Sequence, residues 1–347
     1  MHRRLLALVV GAGVLAACGG KTPGPGPGPT PIGDPPAIVC PVDVDVTGVA
    51  GPTQPITFTV PTATAGTQPV TVTCSPNSGS AFPLGTTAVR CTASDAAARQ
   101  ASCNFNVTVK GLTIGVTKYL AVGDSVTAGQ NGLPEKLWLE FIDPPNSYPT
   151  KLQGMLESAF PGQSFTVVNS GNPGERPEEA LRNNRLAGEL ALHRPGAVTI
   201  LDGYNNLLAA CKEVDVSRVT AQCAAEIELA AGALREMVRM ARNSGATYVF
   251  VATVSPSGPH VILVPPVSNR RLLPAAVDLL NSKIKSQIPG EGGIVVDVYA
   301  RFLGHEAEYN GPDGLHILPA GNQAIAEAFF AAIKAAVPQT PAFGLTR

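Results

Sequence analysis

Between residues 42 and 109 apolar and polar positions alternate. Val42-Asp43-Val44-Asp45-Val46-Thr47, Ile56-Thr57-Phe58-Thr59-Val60, Val70-Thr71-Val72-Thr73-Cys74, Ala88-Val89-Arg90-Cys91-Thr92 and Cys103-Asn104-Phe105-Asn106-Val107-Thr108-Val109 all carry this pattern. It is the spacing of half-buried strands, whose side chains point to opposite faces in turn. Valine and threonine dominate, and turn residues separate the runs. Short strands so spaced predict a small all-β, immunoglobulin-like sandwich over residues 38–110.

From about Thr117 the pattern changes. Apolar runs at Tyr119–Val122, Ser164–Val168, Ala197–Leu201, Thr247–Ala252 and Gly293–Val298 read as strands. Segments with helical spacing lie between and after them: Tyr148–Ala159, Pro177–Leu192, Cys223–Ser244, Pro274–Gln287 and Ala320–Val337. Ala197–Leu201 is almost continuously apolar, as a strand buried on both faces is. The alternation predicts an α/β fold over residues 115–338, a three-layer α/β/α domain with a mainly parallel sheet. One insertion, Gln130 to Asn146, carries Leu137, Trp138, Leu139, Phe141 and Ile142. It reads either as a lid or acyl-binding wall, or as a surface helix packed on the core.

The N-terminus adds a different kind of segment. Met1-His2-Arg3-Arg4 is positive, and Leu5 to Leu15 is apolar but too short to span a bilayer. It ends in Leu15-Ala16-Ala17-Cys18, which resembles the bacterial lipobox. That resemblance implies a signal peptide over residues 1–17, a lipidated Cys18 and a lipid-anchored protein of the bacterial cell envelope. Gly19 stands where Asp would retain a lipoprotein at the inner membrane, so the outer membrane is expected. Residues 18–37 are mostly Gly and Pro, a semi-extended linker that cannot bury a core.

Composition narrows the function classes. The 347 residues carry 25 basic and 26 acidic side chains, a net charge of −1, with no basic block. Nucleic acid is therefore not an expected partner. If Cys18 is lipidated, Cys40, Cys74, Cys91, Cys103, Cys211 and Cys223 remain, an even set that implies disulfides in an exported chain. Cys211 and Cys223 are expected to close one loop. There is no C-x-x-C pair, and neither a metal nor an organic cofactor is implied.

The candidate chemistry lies in two distant segments. Gly123-Asp124-Ser125 follows the first α/β strand, and Asp313-Gly314-Leu315-His316 precedes the last helix. A serine hydroxyl becomes a nucleophile when a base takes its proton and a third group orients that base. Ser125, His316 and Asp313 supply those residue types. Asn169-Ser170-Gly171-Asn172-Pro173-Gly174 and Gly203-Tyr204-Asn205-Asn206 follow the second and third strands, so four sites fall at predicted strand ends.

These four blocks, in this order, resemble the GDSL or SGNH hydrolase family over about residues 117–337. The resemblance implies a flavodoxin-like hydrolase domain and ester hydrolysis through an acyl-enzyme. Ser125 would be the nucleophile, His316 the base and Asp313 its orienter. The oxyanion hole would be the Ser125 and Gly174 N–H groups and the Asn205 side chain, with Gly171 the rival to Gly174. Asn206 departs from the family, which has Asp there. The substrate would be a small-molecule, lipid or glycan ester. Carbohydrate O-deacetylation is one alternative, and a non-catalytic adhesion lipoprotein is another. A G-x-S-x-G elbow with a distant acid is absent, which disfavours an α/β-hydrolase. Of the other histidines, His193 sits at a helix end, His260 in a loop that could line the pocket, and His305 beside Glu306 and Glu308.

The β region resembles the hyalin repeat (HYR) family through Val39-Cys40-Pro41, Ser75 to Thr87, Cys91-Thr92-Ala93-Ser94-Asp95 and Ala101-Ser102-Cys103-Asn104-Phe105. That implies adhesion or spacing, as a module for a surface or glycan partner or as a passive spacer. Four cysteines allow three connectivities. The expected one is Cys40–Cys91 with Cys74–Cys103.

Overall fold

The computed structural model describes residues 33–135, 139–259 and 269–342, and the side chains of 132–141 are not described. Two compact units emerge. Among the described residues, one holds 33–41 with Val60–Ser75 and Arg90–Asn104, and the other Val42–Thr59, Pro76–Val89 and 105–342.

The first strands are β1 (Val44–Val49), β2 (Thr53–Pro55), β3 (Thr71–Ser75), β4 (Ala81–Pro83), β5 (Gly85–Ser94) and β6 (Gln100–Ile114). They form a sheet in the order β1-β6-β5-β3, with β1 parallel to β6, and a separate β2-β4 ribbon. The expected strand at Ile56–Val60 does not join a ladder. Ser78 breaks it, its Oγ accepting from Phe58 N at 2.9 Å and donating to Phe58 O at 2.7 Å. The alternation still buries Ile56 and Phe58, and Phe58 meets the Phe105 ring edge-on at 5.0 Å.

The cysteine pairing differs from expectation: Cys40 bonds to Cys103, and Cys74 to Cys91. Cys74 and Cys91 lie directly opposite each other in the antiparallel β3/β5 pair, with Cα atoms 4.0 Å apart. Cross-strand register decides the partner, and register is not written in one strand's pattern. Asp95 ends β5. Its carboxylate accepts from the N–H groups of Thr67, Ala97 and Arg99 and from the Arg99 guanidinium.

The α/β region begins with β7 (Lys118–Gly123) and the single turn α1 (Ser125–Ala128). Next come β8 (Gln130–Glu135), β9 (Leu139–Ile142), α2 (Tyr148–Ala159), β10 (Thr166–Gly171), α3 (Pro177–Arg182), α4 (Arg185–His193) and β11 (Ala197–Leu201). Then follow α5 (Tyr204–Ala210), α6 (Ala221–Asn243), β12 (Tyr248–Ala252), α7 (Pro274–Gln287) and β13 (Ile294–Val296). The chain closes through α8 (Val298–Phe302), α9 (Glu306–Tyr309), α10 (Pro319–Ala336) and β14 (Gln339–Pro341).

Five strands form one parallel sheet in the order β10-β7-β11-β12-β13. In chain order that is 2-1-3-4-5, the doubly wound arrangement whose crevice opens between its first and third strands, here β7 and β11. One group of helices, α2, α8 and α10, packs together, and a second group is built around α6. Every residue of β11 is buried. α6 buries Ile227, Ala230, Ala231, Leu234, Met237, Val238 and Ala241 at helical spacing, and Thr220 caps it by accepting from Cys223 N at 3.1 Å. Cys211 and Cys223 are disulfide-bonded, as expected.

Two expectations change here. The single helix expected from Pro177 is broken into α3 and α4, because Asn184 takes a left-handed conformation with φ 57°. The insertion after Gln130 is an antiparallel hairpin of β8 and β9, not a surface helix. Leu137 and Trp138 lie outside the described residues, as does His260. Among the described residues no helix is long and apolar enough to cross a membrane.

Candidate active site

The site starts from the turn that ends β7. A Cβ on Gly123 would fall 2.0 Å from Leu201 O and 2.3 Å from Thr127 Oγ1, so only glycine lets β7 and β11 approach here. Asp124 caps the following turn, its Oδ1 accepting from Val126 N at 2.9 Å. The chain therefore bends sharply and leaves Ser125 at the mouth of the β7/β11 crevice.

His316 arrives from the loop before α10. Its Nε2 is 3.0 Å from Ser125 Oγ, and its Nδ1–H donates to Asp313 Oδ2 at 2.5 Å. The other oxygen, Asp313 Oδ1, accepts the N–H groups of Leu315 and His316, each at 3.0 Å. That turn needs Gly314, whose φ is +79° and whose Cβ would meet Arg271 Cγ at 2.5 Å. Ser125, Asp313 and His316 are 6%, 3% and 2% exposed. Burial alone would raise the Asp313 carboxyl. The hydrogen bond and charge of His316, with the two backbone N–H groups, outweigh it and hold the carboxyl below its ordinary value.

The oxyanion candidates divide cleanly. Asn172-Pro173-Gly174-Glu175 is a β-turn closed by Glu175 N to Asn172 O at 3.1 Å, with Pro then Gly in its centre and Gly174 at φ +82°. No acceptor engages the Gly174 N–H among the described residues. The rival Gly171 gives its N–H to Asn169 Oδ1 at 3.0 Å and packs against the backbone of α1. Asn205, in the first turn of α5, donates from Nδ2 to Glu175 O at 2.8 Å and lies 3.4 Å from Asp124 Oδ2. Asn206 points elsewhere: its Nδ2 reaches the carboxylates of Glu178 and Glu226.

Several residues around the site carried no local signal in the sequence. Arg270 N donates to Asp313 O at 2.8 Å, and its Nη1 lies 3.6 Å from Asp313 Oδ2. Asp202 is buried just beyond the end of β11. Its Oδ1 accepts from Gly203 N at 2.7 Å, while Oδ2 has no hydrogen-bond partner among the described residues. Burial pushes the Asp124 carboxyl up to about 7, and burial with the Asp124 charge drives Asp202 well above the carboxylate range.

Of the other histidines, the two described ones stay apart from the site. His193 ends α4 beside Glu189, and exposed His305 pairs with Glu308 and stacks on Tyr309. Among the described residues no cluster of His, Cys, Asp and Glu could hold a metal ion.

No curated protein matches the chain. Residues 33–109 match the HYR domain. Similar solved structures include LAE5, an alpha/beta hydrolase enzyme from the metagenome of Lake Arreo, Spain (22% identity, TM-score 0.46, covering 64% of this chain and 96% of that one). Axe2, an acetylxylan esterase from Geobacillus stearothermophilus, is 20% identical with TM-score 0.46, over 63% and 94% of the two chains. A lipase/acylhydrolase from Enterococcus faecalis is 21% identical with TM-score 0.47, over 66% and 100%. Residues 121–324 match the GDSL-like Lipase/Acylhydrolase family. Since that match takes in more than half of the chain, this protein belongs to the GDSL-like lipase/acylhydrolase family and is an ester-hydrolysing enzyme.

Proposed function

We propose that the chain is a serine esterase that cleaves carboxylic esters through an acyl-enzyme on Ser125. The observation that carries this reading is the chain of contacts from Asp313 through His316 to Ser125, between segments 191 residues apart. Ser125 Oγ attacks the ester carbonyl carbon while its proton passes to His316 Nε2. Asp313 holds the Nδ1–H tautomer and stabilises the imidazolium that forms. The oxyanion is received by the N–H groups of Ser125 and Gly174 and by Asn205 Nδ2. Glu175 O accepts one Asn205 N–H at 2.8 Å, and the other makes a long 3.4 Å contact with Asp124 Oδ2, which it would exchange for the oxyanion. Each such donor is worth about 100- to 1,000-fold in kcat. His316 then returns its proton to the departing alcohol, and water repeats the sequence on the acyl-enzyme.

A fluorophosphonate probe tests this. It labels the wild-type protein, and Ser125→Ala abolishes labelling. A wild-type protein that stays unlabelled rules the reading out in favour of a non-catalytic adhesion lipoprotein. A p-nitrophenyl ester series then assigns the acyl length, and release of acetate from acetylated polysaccharide alone would assign an O-deacetylase.

The reading extends to placement. Leu15-Ala16-Ala17-Cys18 supports export and lipidation at Cys18, with residues 18–37 as tether, 38–110 as a spacer and 115–338 as the hydrolase. Labelled palmitate should enter the wild-type protein and not Cys18→Ser, and a wild type without label would end the anchor proposal. A Ser125→Ala protein retained on envelope polysaccharide would replace the spacer role with a binding one.

A further inference from the structure

Gly174 and Asn205 sit on different elements, the turn after β10 and the start of α5, yet one ion pair reaches both. Glu175 follows Gly174 directly. Its main-chain carbonyl accepts from Asn205 Nδ2 at 2.8 Å, and its carboxylate, 6% exposed, accepts from Arg185 Nε at 2.6 Å. Arg185 Nη1 also donates to Ser170 O at 3.0 Å and Ser170 Oγ at 2.7 Å, on the last turn of pleat in β10. The guanidinium thus ties the rigid end of a sheet strand to the turn beyond it. Arg185 is available for this because the chain breaks between α3 and α4 at Asn184, which starts a new helix there. A buried carboxylate gains little stability from a cation unless the geometry is good, and removing one partner leaves a charge exposed to a dry site. This pair is anchored to β10 at two acceptor atoms of Ser170, so it resists the rotation that would swing Glu175 O away from Asn205.

We propose that Arg185, acting through Glu175, is a positioning residue for the oxyanion hole, setting the Gly174 N–H and the Asn205 amide together. The inference rests on the serine esterase reading above. Arg185 gives its hydrogen bonds to Glu175 and Ser170, not to Ser125, Asp313 or His316. Its effect is on how well two donors are aimed, and a small misplacement of such donors costs rate while leaving ground-state binding intact.

The test compares Arg185→Gln, Arg185→Lys and Glu175→Gln by steady-state hydrolysis of p-nitrophenyl acetate and by the rate of fluorophosphonate labelling. Arg185→Gln is expected to lower kcat about 10- to 100-fold with KM within about twofold, and to slow labelling in parallel. Arg185→Lys should recover part of the loss, and Glu175→Gln should match Arg185→Gln, including if Arg185→Gln itself folds poorly. The decisive measurement is a double-mutant cycle. In an Asn205→Ala background Arg185→Gln should cost clearly less than it does alone, because one of the donors it aims is gone. Wild-type kcat in both Arg185→Gln and Glu175→Gln, or the same fold loss with and without Asn205, overturns the proposal. A wild-type protein inert to ester and probe overturns the esterase reading itself, and this one with it.

Discussion

Asp124 and Asp202 are the first residues beyond the paired ends of two neighbouring parallel strands, one step past the Gly123–Leu201 pair of β7 and β11. Both are buried, at 0% and 1% exposed. Two carboxylates so placed cannot both ionise cheaply. Asp202 has its folded value driven well above the ordinary one, chiefly by burial and then by Asp124.

The sign of the resulting pH effect follows. A carboxyl that is harder to ionise in the folded state favours folding only while both states are protonated, below about pH 4. Above that the unfolded chain ionises before the folded one does, so stability falls as pH rises from about 4 toward the raised folded value. Asp202→Asn removes this loss. Its melting temperature should match wild type near pH 4 and exceed it increasingly as pH rises. Melting curves at four pH values would show it, and a pH-independent difference would refute it.

Asp313 makes the opposite prediction for activity. Its Oδ2 fixes the Nδ1–H tautomer of His316, and its Oδ1 organises the turn that carries the imidazole. Asp313→Asn can keep the turn but not the tautomer. We expect kcat to fall by about 10⁴-fold with folding retained. Asp313→Ala should lose the turn as well, seen as a lower melting temperature than Asp313→Asn.

The two glycines of the second block separate strain from collision. At Gly174 nothing lies within 4 Å of a Cβ, but φ is +82°. Gly174→Ala should fold at a cost of about 1–2 kcal/mol and label slowly, because the turn relaxes and its N–H moves. At Gly171 a Cβ would sit 2.2 Å from Ala128 N and 2.6 Å from its Cα, displacing α1 and Ser125 with it. Gly171→Ala should destroy labelling. Equal behaviour of the two variants would refute this distinction.

Asp95, in the β region, is an acid-sensitive point. Burial raises its carboxyl, but Arg99 and the N–H groups of Arg99 and Thr67 more than compensate, bringing it down to about 2. Stability from this group is present above its ordinary value near 4 and is lost as pH falls through about 2. Asp95→Asn should be less stable than wild type at pH 7 and nearly equal to it at the acid limit, measured by near-ultraviolet circular dichroism.

What the sequence made legible was what is local. Ser125, Asp313 and His316 each follow a predicted strand or precede a predicted helix, and the run of apolar residues at Ala197–Leu201 announced a buried parallel strand. Spacing favours Gly174 over Gly171 as the expected oxyanion donor, and in the fold the Gly171 N–H is engaged by Asn169 Oδ1. What stayed hidden depends on partners from other elements. Cys74 finds Cys91 through strand register, Arg185 finds Glu175 through a helix break at Asn184, and Asp202 meets Asp124 only because β7 and β11 are neighbours. The hairpin of β8 and β9 belongs with these, since its apolar residues fit a helix or a strand equally well until the pairing is known.

The short final strand has a practical meaning. β14 lies antiparallel on the end of β6, with Gln339 opposite Ile114, and Gly115 N reaches Pro338 O at 3.2 Å. The polypeptide thus enters and leaves the α/β region at one doorway. A stretch whose two ends are hydrogen-bonded neighbours is a natural cassette: it can be rejoined end to end and reopened at a surface loop without spanning a gap. The same doorway makes β14 a clasp, so a tag fused just after Ala336 would unfasten it.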